Sequence, residues 1–258
     1  MDIGVCLPVK YYTDAARLGY GYFEAAGTEI AQMDEGTFSD FVSLVKRTGL
    51  KVIGYNSYCG AGVPIVGGGF SREKAAAYAA KMAERGNRLG IKSIGVGSPA
   101  ARRLPKGYPI EKADNEAVEF LKATQAEAGK YGQEVLFEAV HSHMTDYCNF
   151  TAHALEIMKR CGDERIGLVL DFYHMEAMGE DIKDIGYVMP YVRRLHVCRL
   201  LKDYGRMFVT DDDREFLTEI RNSVSARGYN GTLSLEADWP YFEEYGAESI
   251  RVLKDIFG

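Results

Sequence analysis

Four times in this chain a run of apolar residues ends on, or carries near its end, a side chain able to bind a metal ion. The runs are Val135-Leu136-Phe137-Glu138, Gly167-Leu168-Val169-Leu170-Asp171, Leu195-His196-Val197-Cys198 and Thr232-Leu233-Ser234-Leu235-Glu236. A short continuous apolar run is the mark of a buried strand. An unpaired carboxylate inside such a strand is costly, so each acid belongs where its strand stops and a site opens. The four residues are spaced by roughly the 30 residues that a strand, a helix and two loops occupy. They read as the tips of four successive strands in a repeating βα chain.

The rest of the chain keeps this rhythm. Strands are expected at 3–7, 20–25, 51–55, 93–96, 134–138, 166–170, 192–197 and 232–235, and helices at 12–18, 40–48, 71–89, 111–131, 151–160, 182–189, 213–227 and 246–257. The second helix shows the reasoning. Ser39 is its expected cap, Phe41, Leu44 and Val45 recur on one face, and Gly49 stops it. Strands alternating with helices imply a parallel sheet. Eight such units in 258 residues, with no break in composition, imply one closed (β/α)8 TIM barrel over 1–258. An open doubly wound sheet usually begins with a glycine-rich turn, which Leu7-Pro8-Val9-Lys10 is not. Barrel active sites lie at the C-terminal ends of the strands, where the four candidates fall.

Composition narrows the partners. A formal net charge of −6 argues against a nucleic-acid surface, because phosphate backbones are bound mainly by Lys and Arg. The five cysteines are widely spaced with no C-x-x-C pair and read as reduced thiols. Met1-Asp2-Ile3-Gly4 has no basic leader, and no apolar run approaches the length of a membrane span. The expectation is a cytoplasmic protein without a membrane partner.

The chemistry follows from the residue types. Glu138, Asp171, His196 and Glu236 suit one divalent cation. An oxygen-rich, thiol-free set leans to Mn2+ or Mg2+, and the imidazole makes Mn2+ or Co2+ reasonable, so Mn2+ is the expected ion. Such a cation acidifies the C–H beside a carbonyl and stabilises the enediolate that results. Glu138 and Glu236 come from strands lying across part of the ring from each other. They are expected to act on opposite faces of a substrate, one removing a proton and one returning it. His174 either binds a substrate hydroxyl, shuttles a proton or supports Asp171. His141 either touches substrate or shares a solvated loop with His143, and His153 starts a helix. Arg199 and Lys202 either neutralise a substrate phosphate or carboxylate or lie in a solvated loop. Gly67-Gly68-Gly69 reads as a lid hinge or a plain flexible loop, and Gly95-Val96-Gly97 as a weak phosphate cradle. Trp239 and Phe172 either wall the pocket or pack the core.

Phe137-Glu138, Asp171-Phe172-Tyr173-His174, His196 and the stretch Gly228 to Glu236 carry a likeness. Through them the chain resembles, over its whole length, the xylose-isomerase-like barrel superfamily, the sugar phosphate isomerase/epimerase group. Its nearer branches include ketose 3-epimerases, hydroxypyruvate isomerase and inosose dehydratase. The resemblance implies that Glu138, Asp171, His196 and Glu236 hold one divalent metal, that Glu138 and Glu236 double as acid and base, and that His174 contacts substrate. It also implies a keto-sugar or polyol substrate and a homo-oligomer. The chain departs from the ketose epimerases at Arg199 and Lys202, where that pattern has Asp and Arg. It departs again at Ala139-Val140-His141-Ser142-His143, where the pattern has a proline-rich run. The strand ends Tyr55-Asn56-Ser57-Tyr58 and Gly97-Ser98 carry no histidine, unlike endonuclease IV, which shares the fold and the four ligands. The expected activity is a metal-dependent isomerase or epimerase. One alternative is a metal-dependent lyase, resembling inosose dehydratase or a C-glycoside deglycosidase. The other is an inactive barrel that binds sugar or assembles with other subunits.

Overall fold

The computed structural model describes residues 1–258. β1 (Asp2–Leu7) leads into α1 (Tyr12–Leu18), and β2 (Tyr22–Ala26) into α2 (Gly27–Gln32) and α3 (Glu35–Thr48). β3 (Lys51–Asn56) precedes α4 (Arg72–Leu89), β4 (Ser93–Val96) precedes α5 (Ile110–Ala128), and β5 (Glu134–Glu138) precedes α6 (Thr151–Cys161). β6 (Ile166–Asp171) runs directly into α7 (Phe172–Ala177). β7 (Val192–Val197) is followed by a hairpin of β8 (Arg199–Leu200) and β9 (Arg206–Met207), then by α8 (Arg214–Ser225). β10 (Thr232–Leu235) and α9 (Phe242–Phe257) complete the chain. The eight long strands close a parallel ring in the order β1-β10-β7-β6-β5-β4-β3-β2. This is a single (β/α)8 TIM barrel.

Side chains alternate across each strand, and that alternation sorts the residues. Outward positions such as Phe23, Ile94, Phe137, Leu168, Leu195 and Leu233 are buried under the helices and make the apolar core. Inward positions are unlike those of most barrels, where Val, Ile and Leu fill the centre. Here β2 turns Tyr22 and Glu24 inward, β7 Arg194 and His196, and β10 Ser234 and then Glu236. Arg194 donates to Glu24 and to Ser93 Oγ, Ser234 donates to Glu24, and Tyr22 and Ser234 share a 2.8 Å hydrogen bond. A buried charge needs both a counter-charge and hydrogen bonds, and this layer supplies both.

β4 and the residue after it make room for their neighbours at two inward glycines, Gly95 and Gly97. A Cβ at Gly95 would stand 2.8 Å from the Tyr55 carbonyl oxygen, and one at Gly97 would collide with the Glu138 carboxylate. The Gly95-Val96-Gly97 run is thus a packing device of the barrel wall.

Several local expectations are corrected. α3 starts at Glu35, because Asp34 caps it by accepting the Thr37 N–H at 2.7 Å; Ser39 lies inside the helix. Gly36, a poor helix former, hides that first turn from a propensity reading. The helix expected at 182–189 is two 3-10 turns, Ile182–Tyr187 and Met189–Tyr191, and the α-helix of that unit is α7. The hairpin and α2 were not expected from periodicity, since a strand of two residues and a helix of six carry too few positions to show one. No helix is long and apolar enough to cross a membrane.

Replacing Gly95 with alanine has to displace backbone of β3, so it should destabilise the barrel by roughly 1–3 kcal/mol. Urea unfolding should show this as a lower midpoint at unchanged slope.

Candidate metal centre

Strand register assembles the centre. Glu138 ends β5, Asp171 ends β6 opposite His196 of β7, and Glu236 follows β10 with its N–H on the Val197 carbonyl at 3.0 Å. One donor atom from each of Glu138, Asp171, His196 and Glu236 lies within 4.8 Å of all the others. His196 Nδ1 is 3.1 Å from Glu236 Oε2 and 3.4 Å from Glu138 Oε1. Asp171 also caps α7, where its Oδ1 accepts the Tyr173 N–H at 2.9 Å, and this leaves Oδ2 to the centre. The four strand tips named from the sequence are thus brought together.

The donor set fits a divalent cation. Glu138 Oε1 is buried and has no hydrogen-bond partner, a deficit of about 1–3 kcal/mol unless something positive meets it. Metal–oxygen bonds of about 2.1 Å set neighbouring donors about 3 Å apart, close to the spacings seen here. Three carboxylates and one imidazole without a thiol favour Mn2+, Mg2+ or Co2+, and also admit Zn2+.

Sequence reasoning missed the residue that balances this charge. Arg206, on β9, donates to Glu236 Oε2 at 2.6 Å and to Asp171 Oδ2 at 3.2 Å. Its guanidinium also donates to His174 Nε2 at 2.8 Å and lies over the Tyr173 ring. Three carboxylates less one guanidinium leave two negative charges, matched to a divalent ion. Arg199 and Lys202, the expected cations, are not brought to the centre. Arg199 sits 3.8 Å from Asp213, Lys202 is exposed in the hairpin turn, and neither lines the cavity. Nothing in the sequence separates these three basic residues; the hairpin does.

Burial pushes the Asp171 carboxyl up to about 7, with Glu138 and Glu236 adding to the rise and Arg206 opposing it. Burial acts on Glu236 in the same sense, but Arg206 and His196 outweigh it and hold this acid well below its ordinary range. Burial and Arg206 keep the His174 ring neutral. Both His174 nitrogens face N–H donors, Arg206 at Nε2 and the His141 backbone at Nδ1, 3.3 Å away. A neutral imidazole has one free lone pair, so the two contacts compete.

His141 does not line the cavity. It is buried behind His174, with Nε2 3.0 Å from the Tyr173 hydroxyl. That hydroxyl donates to the Tyr204 carbonyl at 2.6 Å, so His141 Nε2 must be the donor to Tyr173. His143 stacks on Tyr204, and His153 pairs with Asp114 at 2.9 Å away from the centre. The Gly67 N–H is tied to Glu116 at 2.7 Å, and the glycine run stays outside the cavity. Trp239 lines the cavity, whereas Phe172 is in the core.

The cavity holds about 360 Å³. Glu138, His174, Arg206 and Glu236 form one wall, and Asn56, Ser57 and Ser98 contribute polar groups from the ends of β3 and β4. Ser57 and Ser98 take left-handed backbone, φ 43° and 50°, a strain that recurs at binding sites. Asn56 Nδ2 donates to Glu236 Oε1 at 3.3 Å.

Comparison with known proteins agrees with the fold. The family described as xylose isomerase-like TIM barrel matches residues 12–256. An inosose isomerase of Halalkalibacterium halodurans is 30% identical over 138 residues, 50% of this chain and 48% of that protein. The chain thus matches about half the length of that relative, and 62–64% of three Bacillus proteins of the same name. Among solved structures, a D-psicose 3-epimerase crystallised with D-fructose covers 100% of both chains at TM-score 0.79 and 16% identity. An IolI protein with a bound zinc atom covers 99% of this chain and 96% of its own, at TM-score 0.72 and 19% identity. At such identities these two structures speak for the fold.

Arg206→Met should lower the melting temperature measured in EDTA, because it leaves buried carboxylates unpaired, at a cost of about 3–5 kcal/mol. Added Mn2+ should then raise that temperature more than it does in the unmodified chain. A second outcome concerns acid. Burial, Arg206 and His143 press His141 down to about 4 from its ordinary 6.5. The unfolded chain therefore takes up that proton first, and stability falls as pH drops from about 6.5 towards 4. Thermal melts across this range should be flatter for His141→Gln.

Proposed function

We propose, for a chain that belongs to the xylose isomerase-like TIM barrel family, a divalent-metal-dependent sugar isomerase or epimerase acting on a keto-sugar or polyol. The observation that carries the reading is the placement of two carboxylates in one centre. Glu138 and Glu236 each turn one oxygen towards His196 Nδ1. The other oxygen of Glu138 lies over Gly97 on the cavity wall, and that of Glu236 is held by Asn56. The inosose isomerases and psicose 3-epimerase to which the chain is similar support the substrate class, and the zinc of the IolI protein supports a divalent ion.

When bound, the cation supplies Lewis acidity that makes a C–H beside a carbonyl easier to ionise. The chain does the rest. One of Glu138 and Glu236 removes the proton and the other returns it to the neighbouring carbon or the opposite face. His174, held neutral, presents Nε2 to a substrate hydroxyl once Arg206 yields it. Arg206 offsets the negative charge that grows on the enediolate. Asp171 stays a ligand and a helix cap. Mn2+ is the ion we expect, the setting is cytoplasmic, and a homo-oligomer is the expected assembly. Asp238, a further acid lining the cavity beside Glu236, favours a second reading. In it the same enediolate expels a β-substituent, and the protein is a lyase on a keto-polyol.

Proton–deuteron exchange followed by NMR in D2O with Mn2+, over ketoses, inososes and 3-keto glycosides, tests both. Exchange should vanish with EDTA and fall by roughly 10²–10⁴-fold in Glu138→Gln and in Glu236→Gln. Isomer formation supports the first reading, and release of water or aglycone the second. Absence of exchange on every substrate sinks both.

A further inference from the structure

One buried acid takes no part in that chemistry. Glu24 is fully buried on the inward face of β2, and it reaches the centre from behind. Its Oε2 accepts from Arg194, and its Oε1 accepts from Ser234 Oγ. The same Oε1 lies 3.3 Å from His196 Nε2, the ring nitrogen turned away from the other acids. Arg194 is anchored in turn by Ser93. Because the Ser234 hydrogen is directed at Glu24, the Tyr22 hydroxyl donates to Ser234 at 2.8 Å. Glu24 therefore sits among donors only, stays ionised, and can offer His196 nothing but an acceptor.

We infer that Glu24 is a positioning residue for the metal centre. By accepting the Nε2–H of His196 it places that ring's lone pair on Nδ1, the nitrogen facing Glu138 and Glu236. A neutral imidazole carries one proton, and an ionised carboxylate at Nε2 decides which nitrogen has it. Cys6 Sγ, 4.0 Å from Nε2, is the other neighbour there and a far weaker acceptor. Arg194 fixes the carboxylate so that Oε1, and not Oε2, meets the ring. The inference rests on the metal-centre reading, and its test keeps the two apart.

The first measurement is titration calorimetry of the unmodified protein with Zn2+ or Mn2+; an absence of binding overturns the metal-centre reading and this inference with it. Given binding, long-range ¹H–¹⁵N spectra of zinc-loaded, histidine-labelled protein should show His196 metal-bound at Nδ1 and protonated at Nε2. Coordination through Nε2 overturns the inference while leaving the metal centre intact. Glu24→Gln is the second arm. Its amide oxygen should stay on Arg194 and its NH2 should take the place of Oε1, turning a donor towards Nε2. The His196 proton then moves to Nδ1, directly against the metal, and affinity should fall 10–100-fold. Affinity equal to the unmodified protein's, in a variant that is folded by circular dichroism, overturns the inference. If this variant does not fold, the spectra of the unmodified protein decide alone.

Discussion

Three carboxylates brought within 4.8 Å of one another in a buried site repel strongly, and much of the molecule answers that repulsion. Like charges this close cannot all stay ionised without a cation among them. Arg206 supplies one positive charge from a hairpin inserted between β7 and α8. His196 supplies a second when protonated: burial opposes its charge, and Glu24 and Glu236 overcome that opposition. A divalent ion would do what the protonated imidazole does in its absence, and would also meet the unpartnered oxygen of Glu138. The candidate metal centre is thus an excess of negative charge built into the barrel mouth.

The same need runs one layer deeper. Two-residue alternation puts Arg194 directly below His196 on β7, and Ser234 below Glu236 on β10. Glu24 bridges the layers from β2. A polar barrel interior is costly unless every group is paired. Here burial alone would raise the Glu24 carboxyl, but Arg194 and His196 bring it below the ordinary range. The polar layer displaces the usual packing of branched apolar residues, and Gly95 and Gly97 leave the space in which the neighbouring backbone and Glu138 sit. Apolar burial has moved to the outward face of the strands, against the helices.

On the cavity side the loops after β5 and β7 meet. Tyr204 of the hairpin turn stacks on His143 with ring centres 3.6 Å apart, and accepts a hydrogen bond from Tyr173 beside the centre. That contact ties the segment carrying Arg206 to the segment carrying His141. From these two loops Val140, Met144 and Arg206 line the cavity.

The barrel, its eight strands and the four converging donors were legible along the chain because period, apolar runs and strand-end acids are local features. Asp171 marks a strand end, whereas α7, the helix it caps, lay outside the helix expected at 182–189. Glu24, Arg194 and Arg206 were not legible as partners. Glu24 and Arg194 lie 170 positions apart and meet only because β2 and β7 face each other across a closed ring. Arg206 differs from Arg199 and Lys202 by nothing in its own neighbourhood; the hairpin turn decides which of the three points inward. Local pattern determined where the strands end and which four donors stand at their tips. Which of them touch, and which nitrogen of His196 is left for a metal, was decided by ring closure, since that alone brings distant charges within hydrogen-bonding reach.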